Sequence, residues 1–156
     1  MRRPIKKREP VLPDRLYNSI KVEKFIDYIM KSGKKEIANK IVYNAFEYIK
    51  EKEKGANPFD VFENAIKNSS PLMEVRSRRI GGANYQVPRE VRPERRLFLS
   101  MRWIIEAAKS KKGAAMYKKL GDEILLASKG GGEAVKKKEN THKMAESNKA
   151  FAHFSW

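Results

Sequence analysis

The sequence has 156 residues, enough for one domain with tails, and 35 Lys and Arg against 19 Asp and Glu give a net charge of +16. Self-repulsion at this charge disfavours an isolated fold, so we expect a polyanionic partner, a nucleic acid first and an anionic membrane surface second. The absence of Cys excludes disulfides and thiolate metal sites. No apolar window reaches membrane-span or signal-peptide length, so we predict a soluble cytoplasmic protein and expect the nucleic acid, not a membrane, as its partner.

The first 15 residues are basic and are interrupted by Pro4, Pro10 and Pro13, which prevent a regular helix. Two interpretations fit this composition. One is a disordered tail, and the other is an extended arm that becomes ordered on a polyanion. The basic residues near its start are Arg2, Arg3, Lys6, Lys7 and Arg8.

Three helices are predicted next, because apolar residues recur at helical spacing. The first runs from residue 20 towards Gly33, and the second covers residues 35–53. Their predicted apolar positions are Ile20, Phe25, Ile26, Ile29 and Met30, then Ile37, Ile41, Ala45, Tyr48 and Ile49. The third begins at Asn57 and Pro58, since Asn accepts hydrogen bonds at an N-cap and proline suits the first helical position.

A β-hairpin is predicted at about residues 72–91, where apolar and polar residues alternate on both sides of a Gly-Gly step. Pairing Val75 with Val87 gathers the apolar residues of both strands on one face. That register leaves a three-residue loop containing both glycines. The alternative register pairs Arg79 with Tyr85 across a five-residue loop.

Three further helices follow the hairpin. Pro93 begins the fourth, whose apolar stripe is Leu97, Met101, Ile104, Ile105 and Ala108. The fifth covers about residues 114–128 and contains Gly121, whose cost of ~1 kcal/mol relative to Ala indicates close helix packing. The pattern of residues 133–150 predicts a helix that is polar on nearly all sides, the kind that lies against a partner or forms only in its company. The aromatic residues at the C-terminus, Phe151, Phe154 and Trp156, either fold back on the core or stack on a partner.

The predicted fold is therefore mainly α. It is a helical bundle of about six helices, with a protruding two-stranded β-hairpin arm between helices three and four. We assign residues 1–15 to a basic N-terminal arm, residues 16–129 to the helical core with its hairpin, and residues 130–156 to a C-terminal helix and tail.

The sequence offers no candidate catalytic or metal site. His142 and His153 lack Cys partners at zinc-finger spacing, and the acidic residues lie mostly within Lys/Glu helix faces. Neither glycine cluster has the spacing of a phosphate-binding loop. We therefore expect no enzymatic activity, no cofactor and no small-molecule substrate. An RNA-modifying enzyme is the disfavoured alternative.

The densest positive charge lies between residues 76 and 96. Its arginines are Arg76, Arg78, Arg79, Arg89, Arg92, Arg95 and Arg96. Arginine makes bidentate phosphate contacts and stacks on bases, whereas a charged edge that only prevents aggregation needs one or two lysines. The segment from Lys109 to Lys119, which includes Lys112, adds a second basic patch. A folded RNA suits these patches best, and a DNA-bending architectural protein is the alternative.

Four stretches resemble the family of bacterial-type small-subunit ribosomal protein seven. They are GGANYQVPREVRPERR, FIDYIMKSGKKEIANKIVYNA, RWIIEAAKSKKGAAMYKKLGDEILLA and HKMAESNKAFAHFSW. They cover nearly the whole chain in order. The resemblance implies an α-helical protein with a β-ribbon arm that binds the 3′ major domain of small-subunit rRNA and nucleates assembly of the subunit head. It also implies a location near the exit-site tRNA and the mRNA path, with contacts to neighbouring head and platform proteins.

The resemblance also assigns residues. It implies rRNA contacts for Arg2, Arg3, Lys6, Lys7, Arg8, Lys34, Lys35, Arg76, Arg78, Arg79, Arg92, Arg95 and Arg96. To these the charge pattern adds Lys109 and Lys112. The hairpin tip, with Arg78, Arg79, Gly81, Gly82, Ala83 and Asn84, is expected near the exit-site tRNA and mRNA.

Overall fold

A computed structural model describes residues 10–154 of the chain. Its elements are α1 (Ile20–Ile29), α2 (Lys35–Lys52), α3 (Pro58–Ser69), β1 (Met73–Ile80), β2 (Ala83–Glu90), α4 (Pro93–Ser110), α5 (Met116–Ser128), α6 (Gly132–Ser147) and a 3₁₀ helix (Lys149–Phe154). The two strands form one antiparallel sheet. The predicted mainly α fold, with a hairpin between the third and fourth helices, is confirmed.

The core is formed by residues of all six α-helices and centres on three fully buried phenylalanines. The Phe62 ring lies 5.0 Å from that of Phe25 and 5.5 Å from that of Phe46, measured between centroids. Helix α5 packs against α2, α3 and α4. At Gly121 a Cβ atom would lie 2.7 Å from the Tyr48 ring, so this glycine permits the close approach of α5 to α2 that the sequence predicted.

Two helices begin as their sequences predict. The Asn57 side chain accepts a hydrogen bond from the Phe59 backbone N–H at 3.1 Å, and Pro58 occupies the first turn of α3. Pro93 likewise occupies the first turn of α4. Proline fits there because the first N–H groups of a helix have no partner within it.

Two predicted core positions are wrong. Ile20 is 51% exposed and Ile37 is 54% exposed, although the helical periodicity places both in apolar stripes. In the first turns of these helices the buried residues are Val22 and Ala38, so Ile20 and Ile37 lie outside the face that packs on the core. In α2 the residues that face the core begin one position later than predicted. They are Ala38, Val42, Ala45, Phe46 and Ile49.

The predicted hairpin register is also wrong. Ile80 pairs with Ala83, which leaves a two-residue loop, and Val75 pairs with Pro88 instead of Val87. Gly81 and Gly82 have φ of +56° and +91°. Two consecutive left-handed residues are what the preferred two-residue hairpin turn requires, so the Gly-Gly step sets the register. The five-residue alternative is excluded as well.

The C-terminal aromatic residues fold back, but onto the hairpin and not onto the helical core. The Tyr85 ring of β2 lies 5.3 Å from Phe151 and 5.6 Å from Phe154, between centroids. Trp156 lies outside the described residues. Among residues 10–154, no helix has the length and apolar composition needed to cross a membrane.

Candidate nucleic-acid interface

The hairpin distributes its arginines over both of its faces. Directly opposed residues of an antiparallel pair share a face, and Arg76 opposes Val87 while Arg78 opposes Tyr85. Arg79, the next residue along β1, therefore lies on the other face. Arg78 donates to the Phe154 backbone carbonyl at 3.0 Å. The C-terminal 3₁₀ helix thus covers part of the Arg78 face, while Arg79 and the glycine tip are exposed.

The Glu74 carboxylate joins the hairpin to α4. The two oxygens of Glu74 accept hydrogen bonds from Nε of Arg76 at 3.0 Å and Nε of Arg95 at 3.3 Å. The Glu74 side chain is only 13% exposed, whereas the two arginines are about half exposed at 55% and 44%. Because each arginine uses Nε for this contact, its terminal nitrogens provide further donors for a ligand. Glu74 therefore positions two guanidinium groups at the surface.

These arginines border a concavity at the base of the hairpin. It is lined by Glu74, Arg76, Arg89, Glu90, Arg92 and Arg95. Four guanidinium groups face two carboxylates, so the concavity has a net positive charge. An arrangement of planar, bidentate donors around a shallow recess suits phosphate groups.

The basic surface continues along α4. Arg95, Arg102 and Lys109 follow one another at a spacing of seven residues, which places them on one face of the helix about 10.5 Å apart. The Phe98 ring lies between the first two, 5.2 Å from the Arg95 guanidinium carbon and 6.0 Å from that of Arg102. We call this set of four residues the α4 stripe. It extends the positive surface of the hairpin base for almost the whole length of α4.

Glu106 holds Arg102 in this stripe. It accepts a hydrogen bond from Arg102 Nε at 2.7 Å and pairs with Lys137 of α6 at 2.6 Å. The hydrogen bonds from Lys137 and Arg102 lower the pKa of the Glu106 carboxyl below its ordinary value, against an opposing effect of burial. Glu106 therefore stays ionised at neutral pH and fixes the orientation of Arg102.

The other predicted binding residues lie in different places. Lys34 and Lys35 are at the start of α2, where Lys35 pairs with Glu23 and lies 3.6 Å from Asp27. The hydrogen bond from Lys35 to Glu23 is the main cause of its raised pKa. Arg96 is half-buried in α4, and Lys112 is exposed between α4 and α5. Arg2, Arg3, Lys6, Lys7 and Arg8 lie outside the described residues.

Sequence reasoning missed three members of the surface: Tyr28, Phe98 and Arg102. The seven-residue spacing of Arg95, Arg102 and Lys109 was a signal visible in the sequence. The position of Tyr28 beside Phe98 was not, because it depends on how α1 packs on α4.

Both histidines contact the main chain. His142 accepts a hydrogen bond through Nε2 from the Leu72 backbone N–H at 2.9 Å, and a ring nitrogen of His153 lies 2.9 Å from the Ala150 carbonyl. Within the described part of the chain, no group of three or more His, Asp or Glu residues is placed to hold a metal ion.

Comparison with known proteins gives a consistent result. Residues 1–149 match the family described as ribosomal protein S7p/S5e. A small ribosomal subunit protein uS7 from Caldanaerobacter subterraneus is 57% identical over 153 residues, covering 98% of this chain and 97% of that protein. Another uS7, from Francisella tularensis subsp. holarctica, is 60% identical over 146 residues, covering 94% of this chain and 93% of that protein.

Proposed function

Because the chain belongs to the ribosomal protein S7p/S5e family, we propose that it binds small-subunit rRNA and nucleates assembly of the subunit head. The chain is a structural constituent of the small ribosomal subunit and acts in translation. We propose that its RNA target is the 3′ major domain of the rRNA and that it lies near the exit-site tRNA and the mRNA path.

The observation that carries this proposal is the positive surface that runs from the hairpin base along α4. Its arginines are oriented by Glu74 and Glu106, both of which form ion pairs with them. Folded RNA is recognised largely through its shape and its backbone, and such recognition requires cations at fixed positions over an extended surface. A net charge of +16 adds long-range attraction to the rRNA.

The hairpin tip supports the second part of the proposal. Arg79, Gly81, Gly82, Ala83 and Asn84 are all exposed, and the two glycines carry no side chain that would keep another backbone away. We propose that this tip lies near the exit-site tRNA and mRNA. We also propose that the C-terminal region contacts neighbouring head and platform proteins. The proposed role is structural and requires no chemical reaction.

The test is a triple substitution of Arg76, Arg78 and Arg79 by Gln, with binding to a transcript of the 3′ major domain measured at several salt concentrations. Removing one phosphate-binding cation reduces the slope of log affinity against log salt by roughly 0.7–0.9. We therefore expect weaker binding and a salt slope reduced by about 2. Circular dichroism checks that the helices remain folded.

The matched control removes three positive charges elsewhere. Lys40, Lys50 and Lys54 are exposed, and α2 does not pack against either strand among the described residues. Substituting these lysines by Gln should change affinity much less than the arginine variant does. Equal losses of affinity in the two variants, or unchanged affinity of the arginine variant at 0.2 M salt, would mean that the hairpin is only a charged edge and does not bind the RNA. Stronger binding to duplex DNA than to the transcript would favour the DNA-bending alternative.

A further inference from the structure

A recess of about 350 Å³ opens beside the α4 stripe, between α1 and α4. It is lined by Tyr28, Phe98, Arg102, Ile105, Glu106 and Lys109. Ile105 is 4% exposed and forms the apolar, buried side of the recess. The Tyr28 and Phe98 rings meet edge to face, with centroids 5.3 Å apart and planes at 83°. Tyr28 is 39% exposed, so part of its ring is accessible from solvent.

The rim of this recess is cationic. Arg102 and Lys109 stand on its α4 side, and Arg95 lies over the Phe98 ring just outside it. Glu106 pairs with Arg102, which keeps the guanidinium beside the aromatic rings. The site therefore combines aromatic faces, a small apolar interior and positive charges within about three turns of α4. An apolar protein segment would use the interior but not the cations, whereas a nucleotide uses both.

We propose that this recess accepts one unstacked nucleobase of the bound rRNA, with the flanking phosphates held by Arg102 and Lys109. The inference rests on the proposed function, since it assigns a subsite within the same RNA-binding surface. Unstacked bases in folded RNA are bound by stacking on aromatic rings and on arginine planes. The volume lies at the small end of ligand sites, roughly 300–1,000 Å³, which suits one nucleotide and not a helix.

Substitutions in the recess can distinguish the affinity contributed by base stacking from the affinity contributed by phosphate contacts. A stacked base contributes affinity that does not depend on salt, whereas a cation on a phosphate contributes to the salt slope. Phe98→Leu removes the ring and keeps an apolar side chain of similar size. We expect it to weaken binding to the 3′ major domain transcript roughly tenfold with an unchanged salt slope. Arg102→Gln should instead lower the slope by about one.

A matched control and a second variant distinguish the loss of a ring contact from the loss of the fold. Phe59→Leu makes the same change in another partly buried ring, which stacks on Tyr17 at 6.3 Å and lies outside the recess, so it should leave affinity unchanged. Tyr28→Leu changes the more exposed ring of the recess and should weaken binding in the same way as Phe98→Leu. Thermal unfolding of all variants identifies any that fail to fold.

Ultraviolet cross-linking of the wild-type complex gives a direct readout. Mass spectrometry should find a nucleotide attached to a peptide that contains Tyr28 or Phe98. Wild-type binding with a normal salt slope, together with unchanged affinity of both ring variants and cross-links only elsewhere, would overturn the subsite and leave the proposed function intact. Failure of the wild-type protein to bind the transcript would overturn both.

Discussion

The helical core and the arm, which we define as β1, β2 and the C-terminal 3₁₀ helix, are stabilised in different ways. In the core, Phe25, Phe46 and Phe62 have no exposed surface. In the hairpin, only Val87 and Pro88 are buried. Within the arm, the Tyr85 ring packs against Phe151 and Phe154, and Arg78 donates to the Phe154 carbonyl. Identifiable polar contacts join the arm to the helices: Glu74 of β1 pairs with Arg95 of α4, and the Leu72 N–H, just before β1, donates to His142 of α6.

This difference shows how a strongly basic chain can fold and still present its charge. Burial in the core supplies most of the free energy of folding, because apolar area removed from water is the dominant favourable contribution. The arm contributes little burial, and its surface is therefore available for arginine. Regions with few buried contacts also open locally at lower cost than the core. We expect the arm to be the part of the fold that RNA binding stabilises most.

The largest expected effect comes from a Phe→Ala substitution in the core, compared with the same substitution in the arm. Phe62→Ala should lower the free energy of unfolding by about 3–5 kcal/mol, because it leaves a cavity among fully buried rings. Phe154→Ala should lower it by about 1 kcal/mol or less, because that ring is half-buried and packs mainly on Tyr85 and His153. Urea unfolding measures both.

Hydrogen exchange sharpens this comparison. Phe154→Ala should increase exchange of the hairpin amides and leave the amides of α2 and α5 protected. If the two substitutions cost the same free energy, the arm belongs to the same cooperative unit as the core, and the distinction between the regions fails.

The junction between α5 and α6 should show an intermediate effect. Glu123 is fully buried, accepts a hydrogen bond from the Ala134 backbone N–H at 3.1 Å and pairs with Lys111 at 2.6 Å. Glu123→Ala removes the acceptor for an N–H at the start of α6 and should cost about 2–3 kcal/mol, since Lys111 is partly exposed and can be hydrated. Glu123→Gln keeps the acceptor and should cost about 1 kcal/mol.

Glu133→Gln is the matched control for this junction. Glu133 also pairs with a lysine, Lys136, but its side chain is 61% exposed. An exposed ion pair contributes little, so the control should leave stability nearly unchanged. A comparable loss in Glu123→Gln and Glu133→Gln would mean that burial of Glu123 has no energetic consequence.

The sequence predicts features that depend on neighbouring residues. Asn57 and Pro58 specify the start of α3 through a local hydrogen bond and a fixed φ, and both are recognisable in the sequence. Gly121 indicates close packing because a glycine inside a helix is costly. The apolar stripe of α4 is also recognisable, since Met101, Ile104, Ile105 and Ala108 are all buried.

The hairpin register was predicted wrongly although its signal is local. The alternating pattern of the strands permits several registers, and a shift of one residue moves every side chain to the other face. The match of apolar residues favoured one register, but the two-residue turn at Gly81 and Gly82 sets another. The candidate site was predicted only in part because one of its contacts depends on residues that are distant in the sequence. Its arginines are close in sequence, but Tyr28 reaches Phe98 only through the packing of α1 on α4.

The smallest expected effect concerns the attachment of α6 to the hairpin base. His142 Nε2 accepts from the Leu72 N–H, which requires the neutral ring, and one such hydrogen bond contributes about 0.5–1.5 kcal/mol. Burial, and secondarily the Lys138 ammonium, lower the pKa of His142 below its ordinary value of 6.5. The unfolded chain therefore binds the proton first as the pH falls. Stability should be complete above pH 6.5 and should decrease below it until the folded ring is also protonated.

The pH range in which His142 affects stability differs from the range in which the carboxylates do. Glu106 has a lowered pKa, so its contribution is present above its ordinary value of 4.5 and disappears only at lower pH. Protection of the Leu72 amide, followed between pH 5 and 7.5, should decrease on the acid side in the wild-type protein and in His153→Gln. In His142→Ala it should be low throughout. A wild-type protection that does not change with pH would mean that the hairpin base is held to α6 by packing alone, and the arm would then depend less on polar contacts than its hydrogen bonds indicate.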